Sequence, residues 1–325
     1  MKLLRIIPLL SLAALLSACI GETAYCPTDR NIVLKLDLAS ENGRLGDYMQ
    51  NADLFIFNAN TGVLMYRKST AVSGDYTLVS LSHLAPGDYR VVAWGNVTPQ
   101  RTAFGSTNTG DHINNAYIGR AGVTRSAVTR DRIPFVPGDG DRLFFAPDLG
   151  QNAFTITVPQ SGDLTATLPF ARAYIGIEVF VVGFNEHTGE AAAPILEIDG
   201  ASSHFSFDRV PDGDITLRET AVIQTQYVQR PATAMFRTKL FDNNADFAKE
   251  LRVHSGEGAN AVHFTIDEAR LRQLVAQFMA NNGITSLKAD AALRRVIPIT
   301  IKFGYNISAS VEIMEFDKVP APPYW

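Results

Sequence analysis

Cysteine is all but missing from this chain: Cys19 and Cys26 are the two among 325 residues, and both lie near the amino end. That excludes a disulfide-framed scaffold and a cysteine-rich metal centre. Histidine is scarce as well. His83, His112, His187, His204, His254 and His263 are scattered, with neither zinc-site spacing nor an H-E-x-x-H helix. A G-x-S-x-G elbow and a phosphate-binding glycine loop are both lacking. Nor is there an excess of positive charge. Twenty-nine Lys and Arg face 33 Asp and Glu, and no basic helix or aromatic–basic interleaving offers a nucleic acid a surface. No later run reaches the roughly 20 apolar residues of a membrane-crossing helix. Neither an enzyme nor a nucleic-acid-binding protein is expected.

What is present begins at the amino end. Lys2 and Arg5 flank the start of an apolar run, Ile6 to Leu16, of eleven residues broken only by Pro8 and Ser11. It is too short to span a bilayer and has the proportions of a secretory signal. The run closes in Leu16-Ser17-Ala18-Cys19, which resembles the bacterial lipobox, where a diacylglyceryl thioether forms on the cysteine and the chain is cut just before it. Residues 1–18 are thus read as a lipoprotein signal peptide and Cys19 as the lipidation site, with that covalent lipid and no other cofactor. Each buried methylene contributes roughly 0.8 kcal/mol, so the two or three acyl chains of a bacterial lipoprotein hold effectively permanently. Ile20, not aspartate, follows the cysteine, which favours the outer membrane. The rival is a Cys19–Cys26 disulfide, which would exclude the lipid. Cleavage takes 18 of 325 residues and leaves 307, with 27 basic against 33 acidic side chains and a net charge of −6.

Most of the mature chain reads as strands. Leu34, Leu36 and Leu38 alternate with Lys35 and Asp37; Ile307, Ala309, Val311 and Ile313 alternate with Ser308, Ser310 and Glu312. "ADLFIFNANTGVLMYR" is a hairpin signal, with Asn58 to Gly62 as its turn, and "GDYRVVAWGN" and "AYIGIEVFVVGF" are further strands. Short strands between Gly, Pro, Asn and Asp turns argue for β-sandwiches. A weak duplication adds to this. "FNANTG" at 57–62 recurs as "FNEHTG" at 184–189, and "LAPGDY" at 84–89 as "VPDGDI" at 210–215, at offsets of 127 and 126. The expectation is a tether over 19–30, an N-terminal β-domain over 31–160 and a related C-terminal one over 161–325.

One helix interrupts the strands. "TIDEARLRQLVAQFMANNG" opens on an expected capping box, Thr265 and Glu268, places Leu271, Leu274, Val275, Phe278 and Met279 on one face, and stops at Gly283. It is expected to pack across the second sandwich. The Thr-, Asn-, Gly- and Arg-rich stretch between "AWGN" and "RLFFAPD" is expected to be a long solvated loop. Asp139 with Asp141, and Asp212 with Asp214, sit in Pro-Gly-rich turns without the closing glutamate of an EF-hand, and are read as turn chemistry, not as metal ligands.

The hairpin "ADLFIFNANTGVLMY", the L-x-P-G-x-Y-x-x-x-A-W-G-N strand from Leu84 to Asn96, "RLFFAP" and "ARAYIGIEVFVVGF" follow in order behind a lipobox and a second cysteine. Together they resemble the fimbrial anchor lipoproteins of the Bacteroidales. The resemblance covers nearly all of the mature chain, and its most specific portion is the Pro86-Gly87 turn leading to Trp94-Gly95-Asn96. It implies a mainly β protein, two tandem transthyretin-like Greek-key β-sandwiches with one helix packed on the second. It also implies a lipid-anchored outer-membrane protein at the base of a fimbrium, which holds the fimbria on the cell surface and limits its length. The implied partners are fimbrial shaft or accessory subunits and the outer membrane, with no nucleic acid.

Assembly of such subunits proceeds by strand addition. The candidate exchange edges are therefore Ile32, Leu34, Leu36 and Leu38 in the first strand, and Ile307, Ala309, Val311 and Ile313 near the end. In shaft subunits of the fimbriae this family resembles, an arginine-specific protease removes the first strand. Arg44 stands just beyond that strand here, and a cut there would sever Cys19 from the protein. Arg44 is expected to stay uncut and the first strand to stay paired. The competing reading is a surface lipoprotein adhesin that binds glycan or host protein. Trp94, in a strand, and Trp325, at the end of the Pro-rich "VPAPPYW" tail, are poor candidates for its binding face.

Overall fold

Residues 30–39, 43–120, 142–147, 154–184, 194–202, 204–207, 218–224, 232–239, 250–255, 262–285, 296–304 and 309–313 are described by the computed structural model. They are mainly β, with one long helix packed against the sheets, as the sequence leads one to expect. In strand β1 (Ile32–Leu38) the alternation does its work: Ile32, Leu34 and Leu36 are buried and Lys35 and Asp37 face the other way. β1 lies between two neighbours, parallel to β10 (Leu164–Arg172) and antiparallel to β4 (Thr77–Ser80). The end of β10 bends away to meet β8 (Phe144–Ala146). Beyond β8 come β5 (Gly87–Gly95), β2 (Asn51–Asn58) and β3 (Leu64–Ala71), while β9 (Phe154–Val158) pairs with the first half of β5. The sheet thus folds over a core of Ile32, Leu34 and Leu36 against Leu54, Ile56, Val91 and Ala93. Burial of each such aliphatic side chain contributes about 1.5–3 kcal/mol.

β2 has no wet face. Its run "LFIF" is continuously apolar because Leu54 and Ile56 enter that core while Phe55 and Phe57, on the opposite face, enter a second one. The second core extends through Val92, Trp94 and Phe145 into the C-terminal half. There, one sheet runs in the order β15 (Ala232–Lys239), β11 (Tyr174–Val182), β18 (Val296–Phe303), β19 (Ala309–Ile313). Another runs β14 (Arg218–Gln224), β12 (Ile195–Ser202), β16 (Glu250–His254), β17 (His263–Asp267). Ile177, Val179, Ile299 and Ile301 from the former and Leu196, Ile198, Leu251 and Val253 from the latter share the core.

Three expectations meet differences here. The division between residues 160 and 161 falls before β10, yet hydrogen bonding keeps β10 in the first sheet, and the chain passes to the second group of strands at Ala173. The stretch read as a solvated loop contains β6 (Thr102–Gly105) and β7 (Tyr117–Arg120), with Thr102, Ile113, Ala116 and Ile118 buried. They form a three-stranded sheet with β13 (His204–Ser206), a partner more than eighty residues away. The helix begins later than its capping box suggests. Thr265 is held in β17 opposite Arg252, so Asp267 takes the cap, its carboxylate accepting from the Arg270 amide at 2.8 Å. A short helix α1 (Leu45–Tyr48) follows β1, and the long helix is α2 (Glu268–Asn281). α2 does stop at Gly283, in a left-handed conformation (φ 65°), with the Ile284 amide bonded back to the Met279 carbonyl at 2.8 Å.

Candidate functional site

Cys19 and Cys26 lie outside the described residues, as do Asp139, Asp141, Asp212, Asp214 and Ile307. What the fold places is the point where the amino-terminal segment joins it. Arg30, 6% exposed, donates from Nη1 to the Pro159 carbonyl and from Nη2 to the Leu84 carbonyl, both at 2.8 Å. The Asn31 amide donates to the Asp163 carboxylate at 3.0 Å and the Ile32 amide to the Ser82 hydroxyl at 3.1 Å. Nearby, burial pushes the Tyr89 phenol above its ordinary pKa against the opposing pull of Arg30. From Cys19 to Arg30 is eleven residues, a reach of at most about 40 Å.

Of the expected exchange residues, Ile32, Leu34 and Leu36 are buried and Leu38 is half-buried. Both edges of their strand are taken by β10 and β4 of the same chain. Arg44 precedes α1. Its guanidinium meets Asp75 at 3.0 Å with both groups exposed, a contact worth little. The residues on the other side of the peptide bond are docked. Leu45 is fully buried, its amide donates to the Asp75 carbonyl at 3.2 Å, and the Gly46 amide donates to the Gly74 carbonyl at 2.8 Å. Proteolytic nicking favours exposed loop tips, and this bond runs into a docked turn.

Ala309, Val311 and Ile313 behave differently. They sit on β19, whose single strand partner among the described residues is β18. Their side chains are half-buried against the core while Ser310 and Glu312 are exposed. β17 is the outermost strand of the opposing sheet among the described residues, and a cleft of about 390 Å³ lies between the two. Phe264, Ile266, Ala309 and Val311 supply its apolar lining. Arg270, at the start of α2, donates to the Val311 carbonyl at 3.2 Å and is held by Gln273 at 2.6 Å. An edge with one strand neighbour among the described residues, beside a cleft of mixed polar and apolar lining, is a place where a strand can add, although Arg270 already occupies the Val311 carbonyl. Sequence reasoning misses the β17 wall and Arg270; the alternation in "HFTID" is the signal that marks the former.

The Leu84–Asn96 motif is structural. Trp94 is 2% exposed and packs on Phe145 at 4.6 Å. Asn96 adopts a left-handed conformation (φ 61°), donates to the carbonyls of Tyr48 (2.6 Å) and Arg142 (3.0 Å), and accepts from the Gln50 amide (2.9 Å). Among the described residues, no group of three or more His, Cys, Asp or Glu is arranged to hold a metal ion.

Comparison with known proteins gives a family and a fold. The model of the fimbrillin-A associated anchor proteins Mfa1 and Mfa2 matches residues 22–319. Among solved structures, a candidate adhesin from Bacteroides ovatus superposes with a TM-score of 0.61 at 13% identity, over 89% of this chain and 93% of that one. A candidate polysaccharide-binding protein from Bacteroides thetaiotaomicron gives 0.57 at 13% identity, over 89% and 99%. The fimbrial anchor protein Mfa2 from Porphyromonas gingivalis gives 0.56 at 13% identity, over 87% and 95%. At such identity these likenesses speak for the fold alone. No curated protein sequence matches this chain.

Proposed function

Because this chain belongs to the family of fimbrillin-A associated anchor proteins, we propose that it holds a fimbria on the outer membrane through a lipid on Cys19 and limits the length of that fimbria. The family match over residues 22–319 carries the reading. It makes the role fimbrial and structural; the family is one of anchors and not of enzymes. The shaft or accessory subunit joins by strand addition at Ala309–Ile313, a reading supported by the one strand neighbour that β19 has among the described residues and by the cleft beside it. β1 stays in place, supported by its two intrachain neighbours, and the Arg44–Leu45 bond stays intact, supported by the docking of Leu45.

Cys19→Ala tests the anchor directly. The variant is expected to leave the membrane fraction and to release fimbriae into the medium, abnormally long where they persist. Retention of the variant in the membrane overturns the reading. The second reading, an adhesin for glycan or host protein, is favoured by the similarity to a candidate adhesin and a candidate polysaccharide-binding protein. Gene deletion that leaves fimbriae intact but abolishes ligand binding would establish it instead.

A further inference from the structure

Among the described residues, two parallel pairings run through sheets that are otherwise antiparallel. β1 lies beside β10 over seven register pairs, Ile32↔Leu164 to Leu38↔Phe170, and β11 beside β18 over seven, Gly176↔Val296 to Val182↔Lys302. Parallel neighbours need a long crossover and are slightly less stable per residue, so local stability does not account for them. Each joins the strand by which the chain enters a group of strands to one that arrives late in it.

We propose that the β1–β10 pair is a shear clamp, which carries tension from the amino-terminal tether into the rest of the molecule. The proposal rests on the anchor reading, in which Cys19 is fastened and the load is applied beyond Ala173. A pull on the tether draws β1 toward its amino end. β10 points the same way and continues through Arg172 and Ala173 into β11, so the opposing pull draws β10 toward its carboxyl end. Parallel neighbours drawn from opposite ends are loaded along the strand axis, and their ladder bonds share the force and fail together. Had β10 been antiparallel, both ends of the pair would lie together and the bonds would break singly, in sequence.

Three further features suit this task. β4 holds the second edge of β1 over four register pairs, Val33↔Ser80 to Leu36↔Thr77. Arg30 bolts the entry point to the loops before β5 and β10 through Leu84 and Pro159, so force divides before it reaches the ladder. Slippage of β1 by one residue would turn Ile32, Leu34 and Leu36 out of the core. Load handed on at Tyr174 then enters β11, which again has a parallel neighbour in β18.

Single-molecule force spectroscopy on the mature chain tests the clamp. One handle is Cys26, in a Cys19→Ser background. The other is either Val182→Cys, at the 40% exposed far end of β11, or Ser161→Cys, in the exposed turn before β10. The first geometry shears β1 against β10; the second peels them apart from their shared amino ends. Shear is expected to need a rupture force at least about twofold higher than peeling. Equal or lower force in the shear geometry overturns the clamp, and matching thermal midpoints of the two variants certify that the same fold is being pulled. Membrane retention of Cys19→Ala would sink the anchor reading while leaving this comparison intact, so the two failures are distinguishable.

Discussion

Asn96 illustrates how a polar residue in a family-specific motif can be architectural. Its side chain ties together two backbone stretches, Tyr48–Gln50 and Arg142, through three groups, from a left-handed backbone that asparagine tolerates better than most residues. Asn96→Ala is expected to lose about 2–4 kcal/mol, from stranded carbonyls and amide together with the cost of that backbone. Asn96→Gly keeps the backbone conformation and is expected to recover about 1 kcal/mol of this loss. Denaturant midpoints of the two variants check the split. Arg30 belongs to the same class: a buried cation that donates to two backbone carbonyls, with no recognisable signature in its neighbours along the chain.

At the scale of elements, legibility follows the range of the forces. β1, β5, β11 and β19 are readable because alternation or apolar runs are local, and α2 because its apolar face and glycine stop are local as well. The start of α2 shifts because pairing of Thr265 with β16 overrides a local cap. β6, β7 and β13 are illegible: strands of three or four residues carry no period, and β13 comes to them from the far half of the chain. The parallel pairings are hidden for the same reason. The exposed edge at Ala309–Ile313 is read from alternation, but its cleft depends on a second sheet. The second copies of both duplicated turns lie largely outside the described residues, so the repeat is represented here by the Asn58 turn, whose carboxamide accepts from the Asn60 and Thr61 amides at 3.0 and 2.9 Å. One element also titrates. Glu178 on β11 is half-buried on the face opposite Ile177 and Val179, and burial raises its carboxyl above the ordinary 4.5. A raised acid stabilises the fold while protonated and loses that contribution as pH climbs through the folded value. As pH rises above the ordinary carboxylate range the native chain should therefore lose stability relative to Glu178→Gln. Denaturant midpoints across that rise measure it, and parallel pH profiles would refute the assignment.

Across the whole molecule, the two halves are joined by more than the chain. Phe207, fully buried, stacks edge-on against Phe55 at 4.8 Å and lies 6.2 Å from Phe57, Trp94 and Phe104. β13 beside it adds to a sheet begun by β6 and β7. Unfolding is expected to be a single transition, with Trp94 fluorescence and far-ultraviolet circular dichroism coincident. Phe207→Ala is expected to cost about 3–5 kcal/mol and to split those two signals. Persistent coincidence at unchanged midpoint would mean that the aromatic cluster is not the joint.

The shared wall of β2 has a consequence for anyone who mutates it. Even-numbered positions 54 and 56 report on one compartment and odd-numbered 55 and 57 on the other. Successive substitutions along this octapeptide sample alternate rooms of the building, and next-door neighbours in the gene become strangers in energy.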